Sequence, residues 1–396
     1  MNTKDSKCPR DPIAAHLRDV PRSGIRDFFE IVSSVPDVIS LGIGEPDFDT
    51  PWHVREASMF ALEKGATKYT SNMGLPKLRK AIARYVGDTF HVSYDADREV
   101  LITVGVSEAL DLAVRALVNP GDEVLYHEPS YVSYRPLIQF AHGCPVPVET
   151  RREEGFRITR DRLEERITER SRLLILNYPN NPTGAVLNRE DVRIMAECAR
   201  EHDLMVITDE IYAEMTYNGS HVSIASMPEM KERTIFLHGF SKSWAMTGFR
   251  IGYACAPPEL TEAMMKIHQY TMLCAPILSQ EAAMEALNEP DNDIREMRDE
   301  YVRHRNYIYH AFRDMGLPCV EPGGAFYAFP YIGDTGISSK DFALRLLEEE
   351  KVAVVPGSAF GACGEGYVRC SYATSLEELK EAMTRMAGFV RRITSC

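Results

Sequence analysis

From about residue 100 to residue 256 the chain keeps one rhythm: a short apolar run, a turn, a stretch of helical spacing, then another apolar run. Val100–Val104 is apolar and β-rich, and Ser107–Val118 follows with helical periodicity. Asn119-Pro-Gly-Asp122 turns the chain into a second strand at Glu123–His127, ahead of a helical stretch at Tyr131–Ala141. Leu173–Tyr178, Leu204–Asp209, Thr234–Gly239 and Arg250–Ala256 read as further strands, with a helix at Arg189–His202 among them. Strands alternating with helices need crossover connections. The rhythm therefore predicts an α/β fold, a largely parallel sheet covered by helices on both faces.

The flanks read differently. Thr50-Pro51 reads as an N-cap followed by a first-turn proline, behind an extended Gly/Pro-rich segment at Ser40–Asp47. Beyond about residue 290 come a long charged helix (Asp291 to about Met315), two short strands, a helix at Lys340–Glu350, two more strands and a last helix at Leu376–Val390. This predicts a smaller α+β unit. A chain of 396 residues is long enough for both. The expected division is a large unit at 52–290, with 1–51 and 291–396 forming the small one.

Composition narrows the functional classes. A formal net charge of −13 argues against a nucleic-acid partner, which needs clustered Lys and Arg. No apolar run approaches the ~20 residues a bilayer requires, so no membrane partner is expected. The opening MNTKDSKCPRDP lacks the apolar stretch of a secretory signal. Nine scattered cysteines without C-x-x-C read as free thiols in a reducing cytoplasm rather than a disulfide framework or zinc site. No H-E-x-x-H occurs, and no metal is expected.

In open parallel sheets ligands bind beyond the carboxyl ends of the strands, and several polar signals sit there. At Gly239-Phe-Ser241-Lys242-Ser243 a strand runs into a lysine between two serines, with Arg250 eight residues on. A shielded lysine can lose its proton and attack a carbonyl to form a Schiff base, while serine and arginine suit a phosphate. Asp209 ends an apolar strand in Asp209-Glu-Ile-Tyr212; it suits either a protonated pyridine nitrogen or a helix cap. Asn181, in Asn177-Tyr-Pro-Asn-Asn181-Pro-Thr-Gly184, sits in a turn and could bond a ring oxygen. In Gly105-Val106-Ser107-Glu108 a strand passes through glycine into a helix, whose free N–H groups can bind phosphate. Tyr131, after Glu128-Pro-Ser, suits stacking on a planar ring or ordinary packing. Arg369, inside the apolar run Tyr367–Tyr372, needs a buried partner, either a substrate carboxylate or an internal acid. Gly42-Ile-Gly44 lacks the third glycine of a dinucleotide fingerprint and is followed by Glu45-Pro46 where a helix should begin.

Taken together and in this order, these segments resemble the fold-type I, class I/II aspartate-aminotransferase-like family. The motifs are G-x-G-x-P-D at Gly42–Asp47, Tyr69 in Lys68-Tyr-Thr, N-P-T-G at Asn181–Gly184, D-E-I-Y at Asp209–Tyr212, S-K-S at Ser241–Ser243 and R-x-G at Arg250–Gly252. The resemblance runs from Ile25 to the last helix. It implies pyridoxal 5'-phosphate as cofactor and a large domain with a mostly parallel seven-stranded sheet. Lys242 would be the Schiff-base lysine and proton carrier, and Asp209 the partner of the ring nitrogen. Tyr212 and Asn181 would bond the ring's phenolic oxygen, and Tyr131 would stack on the ring. Ser107, Ser241 and Arg250 would hold the phosphate, with backbone N–H groups of Val106 and Glu108. Arg369, with Asn181, would clamp the substrate α-carboxylate. Ile25, in a segment folding over the substrate, and Gly44 would line the pocket. Tyr69 would serve the phosphate of a second subunit, implying a homodimer with shared active sites.

The chain is similar to the prokaryotic branch holding aspartate, aromatic and acetyl-diaminopimelate-type transaminases. No motif supplies a second arginine for a side-chain carboxylate. The expected reaction moves an amino group from an L-amino acid to a 2-oxo acid such as 2-oxoglutarate by a ping-pong route. A β-lyase or decarboxylase on the same fold, and a non-catalytic regulator domain, are the alternatives.

Overall fold

The computed structural model describes residues 12–18, 20, 32, 35–288 and 290–395. A two-residue strand β1 (Ile39–Ser40) precedes the seven strands of the central sheet. These are β2 (Val100–Thr103), β3 (Glu123–Glu128), β4 (Cys144–Glu149), β5 (Ser171–Leu176), β6 (Met205–Asp209), β7 (Thr234–Gly239) and β8 (Gly252–Cys255). Their spatial order is β2-β8-β7-β6-β5-β3-β4. β8 runs antiparallel to both its neighbours, and every other pairing is parallel.

Alternate residues of the strands pack into different cores. Leu125, Leu174 and Val206 join one apolar cluster. Val124, Leu173, Ile175, Ile207 and Ile235 join another with the helix Gly105–Leu117. Burial on both sides explains why these strands read as continuous apolar runs instead of alternating ones.

The expected elements appear with ends shifted by a few residues. Helix Arg189–Glu201 is closed at its N-terminus by a capping box, Asn188 accepting from the Glu190 and Asp191 amides. Helix Tyr134–Phe140 starts three residues later than expected, leaving Tyr131 in the preceding turn. The last strand of the sheet opens at Gly252 rather than Arg250, which sits at φ 51°. β4 was not expected from the sequence. Its two prolines cannot donate to a ladder, and it lies at the sheet edge where that is tolerated. Thr50 does not cap the helix Trp52–Glu63, which starts after Pro51. Its hydroxyl instead donates to the Ala245 carbonyl at 2.6 Å, fastening this segment to the loop after Lys242.

Toward the C-terminus lie β9 (Tyr327–Ala328), β10 (Val352–Ala353), β11 (Val355–Pro356) and β12 (Val368–Ser371). β11, β12 and β9 form an antiparallel sheet, and β10 pairs in parallel with β1. The Leu41 amide donates to Ala353 and its carbonyl accepts from Ser371. The chain at 39–42 is thus part of the C-terminal fabric, packed on the helices Pro290–Asp314, Ser339–Glu350 and Leu376–Thr394.

Candidate active site

The parallel strands of the central sheet end on one side, and there the chain leaves a cavity of about 670 Å³. Asp209 closes β6; Ser241 and Lys242 follow β7; Asn177 and Asn181 follow β5; Tyr131 follows β3. Val106 and Ser107 stand in the first turn of the helix after β2. Gly44 and Arg369 close the cavity from the C-terminal fabric, and Tyr212 and Arg250 complete the expected group.

Lys242 is part-buried, and its Nζ donates to the Gly44 carbonyl at 2.7 Å. Loss of water around the ammonium lowers its pKa to about 8, with Glu45 opposing and Arg369 and Arg250 reinforcing the shift. A useful fraction of neutral amine therefore exists near neutral pH.

Asp209 is buried, and burial raises its pKa to about 6. Two hydrogen bonds oppose that rise, from the Tyr134 hydroxyl to Oδ2 at 2.8 Å and from the Ile211 amide to Oδ1 at 3.4 Å. No ion pair to Asp209 forms among the described residues. The carboxylate is braced but not neutralised, which suits a cationic N–H group brought by a ligand.

Arg369 is buried among neutral partners. Nη1 donates to Asn181 Oδ1 at 2.9 Å and Nη2 to the Gly42 carbonyl at 2.5 Å, while Nε has no partner. The guanidinium carbon lies 4.5 Å from the Tyr327 ring centroid and 4.9 Å from that of Phe360. Of the two partners the sequence left open, an internal acid is not the one used among the described residues. A carboxylate anion in the cavity would supply the missing charge.

The helix Gly105–Leu117 presents its N-terminus beside Arg250. Gly105 holds φ +75°, and a Cβ there would stand 2.7 Å from Arg250 Nη2. A Cβ on Gly252 would stand 2.8 Å from Val106 N. Two glycines therefore let a guanidinium approach a helix N-terminus, which together with Ser107 and Ser241 makes a cup for a phosphate dianion. Arg250 itself takes a left-handed backbone that non-glycine residues seldom adopt.

Tyr212 and Tyr327 share a hydrogen bond of 2.9 Å between their hydroxyls. Together these features match pyridoxal phosphate: a cup for its phosphate, a buried acid for its ring nitrogen, a phenol and an amide for its ring oxygen, and a lysine for its aldehyde.

Two expected residues, Glu108 and Tyr69, stand outside the cavity lining. Glu108 turns its carboxylate away, to the Val104 amide at 2.5 Å and His268 Nδ1 at 2.6 Å. Tyr69 is 83% exposed and does not line the cavity of its own chain. Ile25 lies outside the described residues. Sequence reasoning assigned no role to three residues that shape the site. Tyr134 follows Tyr131 at the spacing of one helical turn. Asn177 opens the Asn/Pro-rich turn, and its Nδ2 donates to the Asp209 carbonyl at 2.8 Å. Tyr327 comes from β9 and carried no local signal, since its place depends on tertiary packing.

Comparison with known proteins agrees with this geometry. The family described as aminotransferase class I and II matches residues 36–386. An aspartate aminotransferase of Pyrococcus abyssi is 47% identical over 372 residues, covering 93% of this chain and 96% of that protein. An aromatic-amino-acid aminotransferase of Thermococcus litoralis is 45% identical over 377 residues, covering 94% and 97%. The crystal structure of an aromatic aminotransferase from Pyrococcus horikoshii superposes with a TM-score of 0.88 at 46% identity, covering 93% of this chain and 99% of that one. With the fold, the cavity and these relatives in agreement, the chain belongs to the class I and II aminotransferases and is a pyridoxal-phosphate-dependent aminotransferase.

Proposed function

We propose that the enzyme moves the amino group of an L-amino acid, aspartate, aromatic or related, to a 2-oxo acid such as 2-oxoglutarate in two half-reactions at one site. The observation that carries this reading is the convergence of Lys242, Asp209 and Arg369, from three separate segments, on one cavity.

Pyridoxal phosphate bound there supplies an aldehyde that condenses with amines and a pyridinium ring that withdraws electrons. Ser107, Ser241 and Arg250, with the amides of Val106 and Glu108, hold its phosphate. Asp209 would keep the proton on the ring nitrogen, Tyr131 would lie against the ring, and Tyr212 and Asn181 would bond the ring oxygen. Arg369 and Asn181, joined by a hydrogen bond, would grip the substrate α-carboxylate and so orient the bonds at Cα. Lys242 would take the Cα proton on Nζ and hold it for return, its lowered pKa leaving part of the amine neutral to do so. Proton transfer by a positioned base is worth about 100- to 10,000-fold. Double use of one site gives ping-pong kinetics.

Tyr69 acts in this reading across a homodimer interface. Trp52, Met59, Phe60 and Leu62 are at least half exposed, and so are Tyr69 and Tyr270. Asn72 Nδ2 donates to the Leu273 carbonyl at 2.7 Å, drawing the two segments together. So much exposed apolar surface supports an interface with a second copy. The division into 52–290 and 1–51 with 291–396 is supported by the pairing of β1 with β10. An acidic chain, whose described cysteines are all free, suits the cytoplasm and amino-acid biosynthesis.

The test is a half-reaction screen. Each amino acid is added singly to holoenzyme without an acceptor, and the visible absorbance of the lysine-bound cofactor is followed. Its loss with aspartate or aromatic amino acids supports the reading. Production of pyruvate and ammonia without an acceptor would oppose it.

A further inference from the structure

Outside the cavity, two helices bring together three side chains that the reaction does not use. Helix Arg189–Glu201 carries Cys198 in its last turn, and His202 follows as the C-cap residue four positions on. That spacing places the thiol and the imidazole on one face. The short helix Arg160–Glu164 packs against it and ends on Glu164. The ligand atoms of Glu164, Cys198 and His202 all lie within 4.8 Å of one another. His202 Nε2 stands 3.7 Å from Glu164 Oε1. Cys198 is buried, whereas the other two side chains are open to solvent.

We propose that Glu164, Cys198 and His202 form a binding site for a soft divalent cation of the zinc class, with water as the fourth ligand. A thiolate and an imidazole favour zinc over magnesium or calcium. In a tetrahedral zinc site with bonds of about 2.0–2.3 Å, the ligand atoms sit roughly 3.3–3.8 Å apart. Closing the present cluster to that size moves each side chain by about 1 Å or less, and two of the three are at the surface. The last carbonyls of the helix add a partial negative charge beside the site.

Two groups set the conditions for binding. As the Sγ–Zn bond forms, the thiol proton passes to solvent and the ion sheds water, so affinity falls as pH falls. Arg160 competes for the carboxylate, its Nε donating to Glu164 Oε1 at 2.7 Å. Its guanidinium also holds both carboxylate oxygens of Glu201. Coordination through Glu164 Oε1 displaces the Arg160 Nε–H from it, while the two bonds of that guanidinium to Glu201 remain. The signal in the sequence is Cys198-x-x-x-His202, a pair separated by one helical turn, which a search for C-x-x-C passes over.

The test titrates holoenzyme with CdCl2, follows the ultraviolet thiolate-to-cadmium absorbance, and then adds ZnCl2 as competitor. The expected result is one saturable band at one equivalent per chain, displaced by zinc and missing in Cys198→Ser. His202→Ala and Glu164→Gln, both at solvent-exposed side chains, each weaken cadmium binding about tenfold or more. Absence of a band in the native enzyme, or a full band in Cys198→Ser, overturns the site. If Cys198→Ser does not fold, the two surface variants decide, and unchanged cadmium affinity in both overturns it.

Discussion

The Tyr134 hydroxyl donates to Asp209 Oδ2 at 2.8 Å, and both side chains are buried. Burial raises the Asp209 pKa from 3.8 to about 6, and this bond resists the rise. If Asp209 holds the ring-nitrogen proton as proposed, activity needs its ionised carboxylate and is lost on the acid side, as pH falls through the carboxyl's pKa in the loaded enzyme. Tyr134→Phe removes a bond to a charged group worth about 1.5–3 kcal/mol. Its expected effect is to move the acid limb of the kcat profile upward by about one unit or more. A pH–rate profile with the limb unmoved would deny Tyr134 this role.

Lys242→Ala is expected to abolish turnover together with the visible absorbance of the lysine-bound cofactor. Borohydride reduction followed by peptide mapping should label Lys242 in the native chain and nothing at that peptide in the variant. Retained turnover would refute the assignment.

In the proposed reading, Arg369→Ala would leave the substrate carboxylate without its guanidinium. Loss of such a charge-paired bond costs about 2–5 kcal/mol, so kcat/KM should fall about thirtyfold or more. The fall should appear mainly in KM and be similar for every amino acid, because all share the α-carboxylate. A loss confined to one substrate would assign the arginine to side-chain recognition instead.

Gly105→Ala puts a methyl group 2.7 Å from Arg250 Nη2 at a backbone φ of +75°. The expected outcome is weaker cofactor retention, read as faster loss of visible absorbance on dialysis. Strain of this kind costs about 1–3 kcal/mol. Retention equal to the native enzyme would mean that the cup tolerates a side chain there.

Glu214 sits beneath the Lys242 loop. It accepts from Tyr85 at 2.6 Å and Ser243 at 2.6 Å, and pairs with His238 Nε2 at 3.1 Å. Burial alone would raise its pKa, but the His238 charge and the hydrogen bonds outweigh burial and hold it at about 2. A depressed carboxylate stabilises the fold above its ordinary value of 4.5, and that contribution is lost as pH falls from there through about 2. Glu214→Gln should destabilise by about 1.5–3 kcal/mol in urea melts at neutral pH, since it removes the charge that the Tyr85 and Ser243 hydroxyls bond. The deficit should shrink in acid; a constant deficit would show that packing, not charge, is lost.

The central sheet was legible because its strands are buried on both faces, which writes them as unbroken apolar runs between turns. β4 was not, because Pro145 and Pro147 read as turn residues and only an edge position accommodates them. Asp209, Lys242 and Asn181 were legible because each sits at the carboxyl end of such a run. Tyr327 was not, because it reaches the cavity from a two-residue strand placed only by pairing with β12. The tie between Thr50 and Ala245 was hidden for the same reason, since a Thr-Pro pair looks locally like a cap.

Strand β1 is woven into the C-terminal fabric, and the carbonyls of Gly42 and Gly44 just after it receive Arg369 and Lys242. Entry thread and cavity wall are one continuous backbone. A protease nick between residues 44 and 52 would remove no catalytic side chain, yet it would cut the covalent tether that keeps both carbonyls in register with Lys242. A circularly permuted chain beginning at residue 52 would inherit the same fault.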